Sequence, residues 1–255
     1  MSNALSSKYI HSSEVHNLKA PSIIVPYLIN LFHPRSVVDV GCGLATFLHL
    51  FKNNGVENIL GIDGNWVDKS KLYIDPSEFL AADLEHPINI QRKFDMVICL
   101  EVVEHLKEES SDCLIKTLTM LGDIIIFSAA IPGQGGQNHI NEQEYSFWQK
   151  KFAVKGFSFY DCLRPVFWNN TGIDWWYRQN MFVDIKDSIA LPETILQTKI
   201  TKDAQVIIHP DVELERLNHV RNQEIQKAIR NGEVSLNLYF LGLFNKLKKA
   251  FRKYI

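Results

Sequence analysis

Short apolar runs alternate along the first half of the chain with longer stretches whose apolar positions recur at helical spacing. After a polar leader, "APSIIVPYLINLF" places Ile23, Ile24, Tyr27, Leu28 and Leu31 three or four apart, which predicts a covering helix with Pro21 and Pro26 confined to its first turns. "SVVDV" then reads as a buried strand, "ATFLHLFKNN" as a helix closed by Gly55, "NILGID" as a strand and "FLAAD" as a short strand. "FDMVICL" follows as a strand, "HLKEESSDCLIKTLTML" as a helix closed by Gly122, and "DIIIFSAA" as a strand. Apolar strands separated by helices predict a parallel sheet covered on both faces.

The rhythm changes after Ala130. "IPGQGGQNHINEQEYSFWQKKFAVKG" reads as a glycine-rich loop and then a helix, and "FSFYDCL" and "NMFVDI" as strands joined through an aromatic insertion. Two strands without a long helix between them predict an antiparallel finish to the sheet. The expected fold is therefore α/β: a doubly wound, mostly parallel seven-stranded sheet with an antiparallel edge strand, followed by a C-terminal helical extension. Residues 1–190 are expected to form the main domain, and 191–255 the extension. In the last stretch, "FLGLFNKLKKAFRKYI", Phe240, Leu243, Phe244, Leu247 and Phe251 share one helical face, and lysines and arginines the other. Residues 236–255 suit peripheral contact with an anionic membrane or docking on protein.

Composition narrows the class. With 255 residues, 46% hydrophobic and 22% charged, the chain can bury a large core, and its formal charge of -2 gives no footprint for nucleic acid. Cys42, Cys99, Cys113 and Cys162 form no C-x-x-C pair and read as reduced thiols. Neither a secretory leader nor eighteen consecutive apolar residues is visible. The expected location is cytoplasmic, with the inner face of the membrane as a peripheral option.

Ligands of parallel sheets sit beyond the carboxyl ends of the strands. Here those ends carry Gly41-Cys42-Gly43, Asp63, Asp83 and Glu101. A dinucleotide would need a third glycine where Thr46 stands, and Asp39 just before the turn would repel a pyrophosphate. A cationic cofactor is the better electrostatic match. The segment "VVDVGCGLATF" resembles motif I of the class I S-adenosylmethionine-dependent methyltransferases, with Ala45 in place of the last motif glycine. The resemblance continues through "GIDGN", "AADLEHP" and "FDMVICLEVVEHL", and covers about residues 36–185.

That resemblance implies S-adenosylmethionine as cofactor, held at the turn by Asp39, Gly41, Cys42, Gly43 and Thr46. It implies Asp63 at the ribose hydroxyls and Asp83 at the adenine amine, with Gly64, Leu84 and Leu100 also among the cofactor-binding residues. Methyl transfer to a hydroxyl also needs a proton acceptor. Glu101, Glu104 and His105, expected at the start of a helix, and His139 in the glycine-rich loop are the candidates, with His139 the expected base. The same four residues could instead hold a divalent cation that orients vicinal hydroxyls. Trp148, Trp168, Trp175, Trp176, Tyr177 and Arg178 fall where this family builds acceptor pockets. The block from "NHINEQEYSFW" to "DWWYRQNMF" also resembles bacterial methyltransferases associated with glycan assembly, which implies O-methylation of a sugar or glycan. Two alternatives stand beside this: metal-dependent O-methylation of a small aromatic or a ribose hydroxyl, and a non-catalytic module that keeps the cofactor fold for a partner.

Overall fold

The computed structural model describes residues 16–231. The apolar runs become strands β1 (Ser36–Val40), β2 (Asn58–Asp63), β3 (Phe79–Ala81), β4 (Met96–Leu100), β5 (Ile124–Ser128), β6 (Phe157–Tyr160) and β7 (Phe182–Lys186). Between and around them lie α1 (Lys19–Phe32), α2 (Thr46–Asn53), α3 (Ser111–Leu121), α4 (Tyr145–Ala153), α5 (Arg164–Phe167), α6 (Trp175–Asn180) and α7 (Glu193–Leu196). The sheet has seven strands in the order β3-β2-β1-β4-β5-β7-β6. β1 to β5 run parallel, and the order reverses beside β1, where β2 and β4 flank it. β7 runs antiparallel to both of its neighbours, so the antiparallel strand lies one place in, and β6 forms the edge.

Every residue of β4 is buried, because helices cover both faces of the sheet. Val37, Ile98, Ile126 and Ile185 share one core with Ile24 and Leu28 of α1 and Leu48 and Phe51 of α2. Val38, Val97, Cys99 and Ile125 share the other with Leu114 and Leu118 of α3 and Trp148 and Phe152 of α4. Adjacent strand positions thus divide between two apolar layers, as the pleat requires. Trp148, expected near an acceptor pocket, is fully buried against Phe127. Pro26 lies inside α1 rather than in its first turns.

One helical expectation changes. The stretch from His105 to Leu121 is not one helix: Val103–His105 and Glu108–Ser110 are separate 3-10 turns, and α3 starts only at Ser111. The cause is the Glu104 carbonyl, which accepts the amides of Ile140 and Asn141 instead of continuing a helical ladder. The chain divides into two compact units, with the boundary between His209 and Pro210. Residues 191–209 return to the sheet unit, where Ile200 N–H donates to Phe159 O at 2.8 Å and Ala204 N–H to Gln149 Oε1 at 2.8 Å.

The second unit begins with α8 (Pro210–Arg230), which carries Asp211 and Glu213 in its first turn and Lys227 and Arg230 in its last. That polarity complements the helix dipole. The amphipathic segment 236–255 lies outside the described residues. Among those described, no helix is long and apolar enough to cross a membrane, and all four cysteines are free.

Candidate active site

The turn after β1 is built from left-handed backbone: Gly41 at φ 84°, Gly43 at 54° and Ala45 at 62°. A side chain at Gly41 would also collide with the loop after β4, its Cβ falling 2.3 Å from Val102 Cγ2. The amides of Gly41 and Cys42 donate to Ile62 O on β2, at 2.7 and 3.2 Å. Asp63, at the end of β2, then accepts Gly43 N–H at 2.7 Å and its neighbour Gly64 N–H at 2.6 Å. One buried carboxylate thus joins two strand-end turns.

A cavity opens above this turn. Asp39, Gly41, Cys42, Thr46 and Leu100 line it from the sheet side. The start of α1 reaches it through Ala20 and Pro21, preceded by His16 and Asn17, and Asp174 and Tyr177 reach it from the segment of α6. Burial, then the charge of Asp63, pushes the Asp39 carboxyl up to about 8. Tyr177 meets Phe47 edge to face at 5.7 Å.

Three further expected cofactor residues do not line this cavity. Leu84 is buried in the core layer of Val38 and Ile62, and Gly64 lies beneath Trp66, whose ring would be 2.2 Å from a Cβ there. Asp83 is exposed and closes its own turn, accepting Glu85 N–H and facing His86 Nδ1, each at 3.0 Å.

A second cluster sits beyond β4 and β5. One ligand atom from each of Glu104, His105 and His139 lies within 4.8 Å of the others, and the two imidazoles meet edge to face at 4.9 Å. Glu104 is fully buried, and among the described residues neither of its carboxyl oxygens makes a hydrogen bond of good geometry. Burial and then the Glu101 carboxylate raise it well above the usual range. Glu101 sits at φ 53° and accepts from Asn180 Nδ2 at 3.1 Å and Gln134 Nε2 at 3.2 Å. Burial raises this carboxyl too, against the pull of those donors. A deeply buried acid short of donors, beside two imidazoles, is a donor set that fits a divalent cation.

The glycine-rich loop holds His139 in place through a residue the sequence does not single out. Glu142 accepts Gly133 N–H and Gly135 N–H, both at 2.7 Å, and its Oε1 lies 2.9 Å from His139 Nδ1. Burial raises the Glu142 carboxyl, but His139 and the two amides outweigh it and bring it below the ordinary value. Gly136 leaves room for the ring, since a Cβ there would fall 2.2 Å from His139 Nε2. The acid Asp174 and the positioning residue Glu142 share a signal that spacing alone hides. Both are polar residues in loops that fold back onto the strand ends.

Residues 17–125 match a family model described as a methyltransferase domain. The chain is 28% identical over 126 residues to a tRNA U34 carboxymethyltransferase of Pseudomonas syringae pv. tomato, covering 44% of this chain and 38% of that protein. It is 31% identical over 98 residues to a small RNA 2′-O-methyltransferase of Gallus gallus, covering 32% of this chain and 26% of the relative. The chain thus spans well under half the length of these curated relatives. Among solved structures, the sugar N-methyltransferase KedS8 from Streptoalloteichus superposes with a TM-score of 0.52 at 11% identity, over 73% of this chain and 97% of that one. That likeness is one of fold.

Proposed function

Because the chain carries a class I S-adenosylmethionine-dependent methyltransferase domain, we propose that it transfers the cofactor's methyl group to a hydroxyl of a sugar ring. The observation that carries this reading is the convergence of Glu104, His105 and His139 beside Glu101. In the transfer, the acceptor oxygen forms a bond to the methyl carbon as the carbon–sulfur bond breaks. S-adenosylhomocysteine leaves as a neutral thioether, and the hydroxyl proton must pass to a base. The protein's task is to position the two reactants and receive that proton.

Glu104, His105 and His139 would hold a divalent cation, with Glu101 alongside. When bound, such an ion orients neighbouring hydroxyls and lowers their pKa. Asn180 and Gln134 hold the Glu101 carboxylate, and Glu142 holds the His139 ring. A sugar is favoured because it presents adjacent hydroxyls, and the name of the Gallus gallus relative points to the same acceptor chemistry. The formal charge of -2 favours a glycan over a nucleic acid.

Glu142 favours a second, ion-free reading. With His139 Nδ1–H donating to its carboxylate, Nε2 is left as the basic nitrogen and can take the hydroxyl proton directly. The test is transfer from methyl-labelled cofactor to a panel of saccharides and a short RNA, with Mn2+ or with a chelator. Label on a saccharide that disappears with the chelator and returns with Mn2+ is the expected result. Chelator-resistant transfer selects the ion-free reading, and label on the RNA alone overturns the glycan assignment.

A further inference from the structure

Asp174 occupies the N-cap of α6, where an aspartate ordinarily accepts a backbone amide of the first turn, yet its side chain makes no capping hydrogen bond. Instead it lines the cavity above the glycine turn, together with Asp39, Gly41, Thr46 and Leu100. Tyr177, one turn further along the same helix, lines it as well and rests edge-on against Phe47 of α2. The segment "DWWYRQN" therefore contributes to the cavity beside motif I.

The lining of that cavity carries acids from two distant parts of the chain. Two carboxylates line it, one from β1 and one from α6. Burial raises both, and at Asp174 the nearby Lys19, its own backbone amide and Arg178 together offset only part of the effect. Desolvated acids in one cavity are relieved by a cationic ligand. S-adenosylmethionine has two positive groups, the sulfonium and the α-ammonium of its amino-acid end. A carboxylate released from capping can accept charge-assisted hydrogen bonds from an ammonium, the stronger kind.

We infer that Asp174 binds the α-ammonium of the cofactor, so that a loop more than a hundred residues beyond motif I completes the cofactor site. This rests on the cofactor assignment above, and not on the acceptor. Asp174 then selects for ligands that carry the amino-acid end.

Calorimetry on the full chain tests it with three probes: S-adenosylhomocysteine, its analogue lacking the α-amino group, and 5′-methylthioadenosine, which lacks the whole amino-acid end. In the wild type, removing the amino group is expected to weaken binding at least tenfold. In Asp174→Asn, S-adenosylhomocysteine is expected to weaken at least tenfold, methylthioadenosine to stay within twofold, and the penalty for losing the amino group to vanish. Equal weakening of all three probes, or an unchanged amino-group penalty in the variant, overturns the assignment to Asp174. Should Asp174→Asn not fold, the wild-type comparison still decides, since equal affinity with and without the amino group excludes an ammonium contact. A wild type that binds none of the probes refutes the cofactor cavity itself, a failure distinct from the others.

Discussion

At the scale of single residues, the proposed acceptor site depends on how His139 is held. Gly136→Ala would set a Cβ 2.2 Å from His139 Nε2, so the ring must move by about an ångström, a displacement that costs on the order of 100-fold in rate. The expected result is a fall of that size in kcat with affinity for S-adenosylhomocysteine kept within twofold, measured by steady-state transfer and calorimetry. Glu142→Ala removes three hydrogen bonds that tie the loop to the ring. Its kcat is expected to fall by about 10- to 100-fold, with Glu142→Gln intermediate because an amide oxygen can still accept. Unchanged transfer in Glu142→Ala would show that His139 needs no support. Much of the glycine turn was legible in the sequence, because a strand, two glycines and a following helix are local features. Asp174 and Tyr177 were legible only as residues of a polar aromatic segment. Their place in the cavity above the glycine turn depends on how the chain returns after β6, which no local pattern encodes. Asp83 adds a local bond that the strand-end position alone does not reveal, since its carboxylate also accepts Glu85 N–H in its own turn.

At the scale of elements, β7 carries an anomaly. Asp184 is fully buried between β5 and β6 in the sheet, and neither carboxyl oxygen has a hydrogen-bond partner among the described residues. Burial alone raises its pKa well above the ordinary value. The sign of the pH dependence follows. Below about pH 4 the group is neutral in both folded and unfolded chains. Above that, the unfolded chain ionises while the folded one keeps its proton, so stability falls as pH rises, until the folded carboxyl itself ionises. Asp184→Asn removes this dependence, and its stability advantage is expected to grow by up to about 1.4 kcal/mol per pH unit above pH 4. Urea denaturation of both proteins from pH 5 to pH 8 checks it, and a difference that stays flat or shrinks would contradict it. The apolar runs of β1, β2, β4 and β5 were legible because burial on both faces leaves few polar positions. The 3-10 turn at Val103–His105 was not, because its cause is the capture of the Glu104 carbonyl by a loop 36 residues later.

At the scale of the whole molecule, the sheet unit brings two chemically different sites to one edge: an acid-lined cavity beside motif I and an acid–histidine cluster beyond β4 and β5. Glu101 follows β4 directly after Leu100, which lines the first site, and its charge raises the carboxyl of Glu104 in the second. This adjacency is what methyl transfer from a bound cofactor to a separate acceptor requires. The most direct test is transfer of labelled methyl from S-adenosylmethionine to a saccharide acceptor by the wild type and by His139→Ala, in matched reactions with Mn2+ and with product analysis by mass spectrometry. The expected outcome is an O-methylated sugar from the wild type and a loss of at least 100-fold in His139→Ala, with binding of S-adenosylhomocysteine retained. An O-methylated sugar formed at the wild-type rate by His139→Ala would contradict the assignment of the acid–histidine cluster to the acceptor.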